Sequence, residues 1–354
     1  MEYKRLGDYI EPVDERNSKL EVKLSQGISN DKYFQEPRQV AENSAADKIV
    51  RKGYFAYNRA TTRNGEKISI AYREGPDCTV SSAYQVFKIK DEEKLNPKYL
   101  LMWYKRPDFD RYARFRSHGS AHEFFEYDEM CNVMLPMPSI ERQREIVEEY
   151  ETLSRRIALN EQMIQKLEAT AQTLYRKMFV EGIEKENLPE EWRMGTIEEL
   201  SEIKNGKAII PDSGDISVYG GNGIVGLTTK PNAENVIVIG RVGINCGSLY
   251  LHQGGCYVND NAMMAIPLDG NLVFLYLTLK GMDLNSQSEG SGQPLLTQSI
   301  IYKQECVLPP CNLREEYEKR GLILYKEISL IEQENSKLKE LQSLLLAKMG
   351  NMKQ

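Results

Sequence analysis

Between Glu141 and Phe179 apolar residues recur in alternating steps of four and three: Ile146, Tyr150, Leu153, Ile157, then Ile164, Leu167, Ala171, Leu174 and Met178, with Asn160 where one more is due. A 3.5-residue period is the seam of a coiled coil. No proline interrupts the stretch, and Glu, Gln, Arg, Lys and Leu, all good helix formers, fill most other positions. A displacement of 171 residues brings the pattern back as Leu324, Ile328, Ile331, Asn335, Leu338, Gln342, Leu345 and Met349. Over residues 157–178, 9 of 22 positions are identical at that displacement. Average composition gives about one or two by chance. The chain therefore carries an internal duplication with the period of a whole domain. Each copy places one asparagine on the seam, where it lowers stability but fixes register and partner. If the two helices run antiparallel about a pseudo-twofold axis, Asn160 meets Asn335. The predicted seam is then Ile157, Asn160, Ile164, Leu167 and Leu174 against Ile328, Asn335, Leu338 and Leu345.

The pattern between the helices is of another kind. Asp47–Arg59 reads as strand and turn punctuated by Gly53, and Lys67–Tyr72 and Val80–Lys90 alternate like strands. Asn96–Tyr104 reads as a helix opened by Pro97 and ended by Pro107. A basic, partly loop-like segment with Arg111, Arg114 and Arg116 follows, and the stiff connector Leu135-Pro136-Met137-Pro138 leads to the long helix. After a linker at Gly182–Pro189, Val218–Gly226 reads as a Gly-rich turn between strands. Asn235–Gly240 and Met263–Ile266 read as strands, Leu272–Lys280 as a helix, and Val307–Pro310 repeats the connector. The order is mixed domain, helix, mixed domain, helix. The predicted boundaries are 1–140, 141–180, 181–312 and 313–354, and the fold class is α+β.

A chain of 354 residues is long enough for two cores plus connectors. Mean hydropathy is −0.52 and 28% of residues are charged, with no apolar run long enough for a membrane span. The opening MEYKRLGDYIEP lacks the apolar segment of a secretory signal, and six Cys without CxxC spacing read as reduced thiols, so a cytoplasmic setting is expected. A net charge of −6 excludes a chain that coats nucleic acid by charge alone. The charge is uneven: residues 51–116 hold 15 Lys and Arg against 8 Asp and Glu, and residues 195–310 hold 6 against 11. Only the first block resembles a phosphate footprint.

Gly221, Gly223 and Gly226 spell G-x-G-x-x-G, but Leu227-Thr228-Thr229-Lys230-Pro231 follows where a dinucleotide site needs a helix. The pair His118 and His122 has Gly119 and Ser120 between and no partner at ligand spacing, so no metal site is expected. No catalytic constellation is visible. What remains is loop chemistry suited to base edges and phosphates, since Arg complements guanine and Asn or Gln complements adenine. The candidates in the first block are Tyr57, Asn58, Arg59, Arg63, Asn64, Lys67, Ser82, Tyr84, Arg114, Arg116 and Ser120. In the second they are Tyr219, Asn222, Lys230, Arg241, Asn245, Asn259, Asn261 and Gln293.

Two mixed blocks alternating with two similar long helices resemble the DNA specificity subunit of type I restriction–modification systems. The phrases KIVRKGYFAYNR, TVSSAYQVFKI, SHGS with FFEYDEM, and LPMPSIERQREI resemble one target-recognition domain. KNGKAI, SVYGGNGIVGL, NVIVIGRVGINCGSLYL, VNDNAMMAI, SGQPLLTQ and LPPCNLREEYEKRG resemble a second. One departure is visible: the second lead-in reads Arg314-Glu315-Glu316 where the first reads Glu141-Arg142-Gln143.

The resemblance implies a non-catalytic chain in which each domain reads half of a bipartite, asymmetric DNA site, with antiparallel helices setting the spacer. A 39-residue helix is roughly 58 Å long, more than the roughly 34–36 Å of one DNA turn. It also implies two adenine-methyltransferase subunits as partners and, through them, ATP-dependent restriction subunits. S-adenosylmethionine, ATP and Mg would be bound by those partners and no cofactor by this chain. Tyr175, Met178, Phe179 and Leu346 are the expected partner contacts. The rival expectation is a coiled-coil scaffold without a DNA role.

Overall fold

The structure, a computed structural model, describes residues 2–37, 44–61, 67–118, 123–288 and 294–350. The chain divides into two compact units, Met1–Ala158 with Asn335–Gln354, and Leu159–Glu334.

In the first unit β1 (Tyr3–Arg5) leads through a 3-10 turn to β2 (Ile10–Val13). Then come β3 (Gly27–Ile28), β4 (Phe34–Gln35), β5 (Lys48–Val50), β6 (Phe55–Asn58), β7 (Ile70–Tyr72), β8 (Cys78–Val80) and β9 (Tyr84–Ile89). Strands β2, β9, β6 and β7 form an antiparallel sheet in that order. Strand alternation sends successive side chains to opposite faces. Phe55, Tyr57, Ile70, Phe87 and Ile89 enter one core, while Ala56, Ala71 and Val86 join Ile28, Val50, Cys78 and Val80 in a second. The first core is covered by α1 (Pro97–Tyr104), α2 (Pro107–Phe115) and α3 (Tyr127–Cys131). Asn96 caps α1 by accepting from Lys98 N at 2.9 Å and Tyr99 N at 3.2 Å, with Pro97 at the first position. Pro107 does more than end that helix. It opens α2, with Asp108 and Asp110 in the first turn and Arg114 in the last, a charge order that suits the helix dipole. The segment expected to be partly loop is therefore helical through Phe115.

Strand β10 (Met134–Pro136) pairs with β1 and delivers the chain to α4 (Ile140–Phe179).

The second unit repeats this plan. Strand β11 (Arg193–Thr196) and a 3-10 turn lead to β12 (Ser201–Asn205), β13 (Ile216–Gly220), β14 (Gly223–Thr228), β15 (Ala233–Gly240), β16 (Leu249–Val258) and β17 (Ala262–Pro267). The sheet order is β12-β17-β15-β16-β13-β14, so β12, β17, β15 and β16 occupy the places of β2, β9, β6 and β7. Ile237, Ile239, Met263 and Ala265 face one core and Val236, Val238, Ala262 and Met264 the other. Helix α5 (Leu272–Lys280) is buried from Leu272 to Leu279, and α6 (Gln298–Tyr302) precedes β18 (Glu305–Leu308), which pairs with β11. Then α7 (Cys311–Gly350) begins. The hairpin β13–β14 turns at Gly221-Asn222; Gly223 has φ +88°, a conformation glycine adopts without strain.

Within each unit the two long helices run antiparallel. In the first, Ile146, Val147 and Met349 share the main core, and Gln342 Nε2 donates to Ser154 Oγ at 2.7 Å. In the second, Tyr317 Oη donates to the Ala171 carbonyl at 3.1 Å, and Asn160 Nδ2 donates to Glu334 Oε2 at 2.9 Å. Ile157, Asn160, Ile328 and Asn335 are buried, and Ile164, Leu167 and Leu174 lie partly buried against the second core. Leu338 and Leu345 are half-buried. Asn160 and Asn335 belong to different units.

The four residues expected to face partners do not face outward. Tyr175, Met178 and Phe179 pack into the second unit's core, with Tyr175 Oη 2.9 Å from Thr278 Oγ1, and Leu346 packs on the first unit's core. The helices carry more than one apolar stripe, and the domain helices cover the second. Among the described residues of α4 and α7 the exposed large apolar side chains are others: Leu341 and Leu344 in the first unit, and Leu159, Met163, Leu322, Ile323 and Leu330 in the second.

The departure at Arg314–Glu316 also has a structural answer. Gln143 accepts from Asn96 N at 2.9 Å and donates to the carbonyls of Lys94 and Pro138, tying α4 to the start of α1. Glu318 stands 47 residues after Asn271, the same separation as Gln143 after Asn96. Its carboxylate accepts from Val273 N at 2.9 Å and Phe274 N at 3.0 Å, tying α7 to the start of α5. The tie is kept, but from a position further along the copied helix: four residues past the place that the 171-residue displacement gives Gln143. Burial pushes the Glu318 carboxyl up from the ordinary range, and the backbone N–H groups pull it back down.

Candidate nucleic-acid interface

In the first unit three loops meet at the C-terminal end of β6. Asn58 N donates to the Ser69 carbonyl at 2.9 Å, and its side chain accepts from Ala60 N at 3.1 Å. Asn58 stands opposite Tyr84, the first residue of β9, and exposed Ser82 lies just before it. The Arg59 carbonyl accepts from Phe125 N at 2.8 Å, and Ala60 bridges Phe124. These contacts gather Asn58, Arg59, Ser82 and Tyr84. Arg114 is tied to the same cluster through its ion pair with Glu123, whose carbonyl accepts from Thr61 N at 3.0 Å.

Other candidates lie elsewhere. Tyr57 is fully buried in the aromatic core and is no surface contact; its side chain alternates inward from Asn58. Burial pushes its hydroxyl well above the usual range, and among the described residues that hydroxyl has no hydrogen-bond partner. Lys67 pairs with Asp31 at 3.2 Å, and Arg116 lies over Tyr112 with Glu129 3.8 Å away. Arg63, Asn64 and Ser120 are outside the described residues.

The basic excess of this block is largely answered within the fold. Arg59 pairs with Glu126 at 3.2 Å, Arg114 with Glu123, Lys67 with Asp31 and Arg116 with Glu129. Residues 117–130 carry four acids and no Lys or Arg, and three of those acids fold back onto these arginines. These acids lie just past residue 116, outside the basic block.

The second unit gathers the corresponding loops. Arg241 N donates to the Asn261 carbonyl at 3.1 Å, Ser248 Oγ to the Gly221 carbonyl at 2.7 Å, and Asn259 N to the Tyr219 carbonyl at 2.8 Å. Lys207 N donates to the Val258 carbonyl at 3.0 Å. Gly240 has no room for a side chain: an added Cβ would stand 2.3 Å from the Asn245 carbonyl. Asn222, Arg241, Asn245, Asn259 and Asn261 are brought together in this way.

Two more residues belong there. Lys207 is exposed on the neighbouring turn, and Ile244 is 91% exposed on the turn Gly243–Asn245. An isoleucine inside the Gly-rich phrase Gly243-Ile244-Asn245-Cys246-Gly247 was the available signal. Tyr219 turns inward instead, with its hydroxyl 3.1 Å from His252 Nδ1. Burial pushes that hydroxyl up to about 12 and His252 down. Lys230 is exposed in the turn before β15, and Gln293 is outside the described residues.

The two clusters are equivalent. Arg59 and Arg241 each follow the central strand of their sheet. Each carbonyl accepts from a partner N–H, Phe125 at 2.8 Å or Leu296 at 2.9 Å, and each next residue forms a bridge, Ala60 with Phe124 or Val242 with Leu295.

The sequence matches the type I restriction–modification DNA specificity domain twice, over residues 14–169 and 189–343. The chain belongs to that family. The family is the non-catalytic specificity component of the restriction–modification system, and the two matches coincide with the two copies of the loop cluster. Among solved structures, the S subunit of a type I restriction–modification system from M. genitalium aligns at 15% identity and a TM-score of 0.67, covering 98% of this chain and 95% of that one. The HsdS subunit from Thermoanaerobacter tengcongensis aligns at 18% identity and a TM-score of 0.39, with 98% and 96% covered. A chain from a structure concerning complex assembly of the type I R-M system aligns at 16% identity and 0.47, with 98% and 97% covered. No curated protein matches by sequence. Among the described residues of this specificity chain, no helix is long and apolar enough to cross a membrane, and no three His, Cys, Asp or Glu side chains gather to hold a metal ion.

Proposed function

We propose that this specificity chain reads a bipartite, asymmetric DNA site, one half-site per domain, with the spacer set by the helix pair. The observation that carries the proposal is the repeated loop cluster, present once in each family match and offering Arg and Asn side chains of the kind that read base edges. The remaining phosphate contacts come from partners, which fits the internal pairing of the first domain's cations and the overall charge of −6.

The partners in this reading are two adenine-methyltransferase subunits and, through them, ATP-dependent restriction subunits. S-adenosylmethionine, ATP and Mg are held by those subunits, this chain binds no cofactor, and the assembly works in the cytoplasm. In this reading the partners dock on an open groove of about 1130 Å³ in the first unit, where Leu341 and Leu344, 48% and 57% exposed, lie with Leu153 and Leu345 among the charged residues Glu141, Arg144, Glu145, Glu148, Glu149 and Lys348.

The test is to map methylated adenines in a genome that expresses this chain with its methylating subunits. A two-part motif with a fixed unread spacer, abolished when the chain is deleted, is the expected result. A contiguous motif, or a motif unchanged by the deletion, would overturn the reading.

A further inference from the structure

We infer that Arg241 is a guanine-reading residue of the second domain, and that its counterpart Arg59 is held out of that role by Glu126. The inference rests on the DNA-reading proposal and names one of its contacts. Arg59 and Arg241 occupy the same place in the two copies, and the segments that bridge them run into the short helices α3 and α6. The residue opening α3 is Glu126, which takes an Arg59 guanidinium N–H at 3.2 Å. The residue opening α6 is Thr297, which carries no charge and spends its hydroxyl as the helix cap. Among the described residues the Arg241 side chain has no ion pair or hydrogen bond, and its Nε is buried without an acceptor. A buried N–H without an acceptor is costly, and among the described residues no carboxylate is set against this guanidinium as Glu126 is against Arg59.

The surroundings decide what kind of acceptor. Arg241 N donates to the Asn261 carbonyl, the next turn carries Asn245 and Ile244, the latter 91% exposed, and Lys207 is exposed on the neighbouring turn, so in this loop cluster asparagines (Asn222, Asn245, Asn259 and Asn261) outnumber the cations. Asp260 is exposed in the adjoining turn and makes no ion pair with Arg241. A neutral base edge with two acceptors, O6 and N7 of guanine, fits an arginine fork in this setting, and an aliphatic tip suits a neighbouring thymine methyl.

The experiment uses the full chain assembled with its methylating subunits. Duplexes carry the mapped site, with each base pair of the second half-site varied in turn. Arg241→Lys keeps the charge and removes the fork. The expected result is loss of preference for guanine at one position, about five- to a hundredfold in affinity, with the salt dependence unchanged. Replacing that guanine by 7-deazaguanine weakens the wild type and leaves Arg241→Lys unaffected. Thr297→Glu should clamp Arg241 as Glu126 clamps Arg59 and reproduce the loss with the arginine still present. If the wild type reads a bipartite site while Arg241→Lys keeps every base preference, or weakens all sequences equally with a shallower salt slope, the inference is wrong and the DNA-reading proposal stands. If the wild-type assembly binds no duplex, the DNA-reading proposal itself fails.

Discussion

A buried polar atom costs or contributes stability according to whether it is partnered. The Tyr57 hydroxyl has no partner among the described residues, so it adds a desolvation cost without a hydrogen bond to offset it. Tyr57→Phe is therefore expected to be neutral or stabilising by up to about 1 kcal/mol in urea melts, and to leave DNA affinity unchanged. Glu318 is the opposite case, a buried carboxylate that accepts from backbone N–H groups of α5. Glu318→Ala strands those donors and should cost about 1–3 kcal/mol. Glu318→Gln keeps an acceptor, as Gln143 does in the first unit, and should stay within about 1 kcal/mol of wild type at neutral pH. The pH dependence has a definite sign. Because the folded carboxyl lies above its unfolded value, its contribution is complete below the unfolded carboxylate range, about pH 4.3, and is lost as pH rises through the folded value. Wild type should thus lose stability relative to Glu318→Gln on going from acid to neutral pH.

Elements are tied together by contacts that no local pattern announces. Helix α2 is anchored through Asp110, which accepts from Ile68 N at 3.0 Å and from the buried Lys32 ammonium, itself also donating to the Ile68 carbonyl. Burial pulls the Lys32 ammonium down, and Asp110 supports its charged form. Removing one partner leaves the other buried and uncompensated, so Asp110→Ala should destabilise the chain by about 3–5 kcal/mol. A loss below about 1 kcal/mol in thermal or chemical denaturation would contradict this anchoring. The alternation of Phe55, Ala56 and Tyr57 told which residues were apolar and strand-forming but not that the sheet is covered on both faces; Tyr57 was misplaced for that reason. The partner face was misjudged likewise. Tyr175 and Phe179 lie on the helix where a coiled coil alone would expose them, and only the packing of α5 shows they are buried.

For the molecule as a whole, the proposed spacer role of the helices gives a direct prediction. Each long helix has 40 residues, and deleting seven in register from both shortens each by roughly 10 Å. The expected outcome is a methylation motif whose unread spacer is narrower by about three base pairs at 3.4 Å each, read from genome-wide methylation mapping. An unchanged spacer would remove the helices from that role.

The helical repeat, the alternation of mixed domain and long helix, and the family resemblance were all legible in the residues, because periodicity and duplication are local properties of a sequence. The matching strand orders, the transfer of the Gln143 tie to Glu318, and the neutralisation of Arg59 in one unit, while its counterpart Arg241 in the other has no ion pair among the described residues, were decided by the tertiary structure. These depend on which distant residues meet, and a carboxylate 67 positions away cancels an arginine only after folding has brought the two to 3.2 Å.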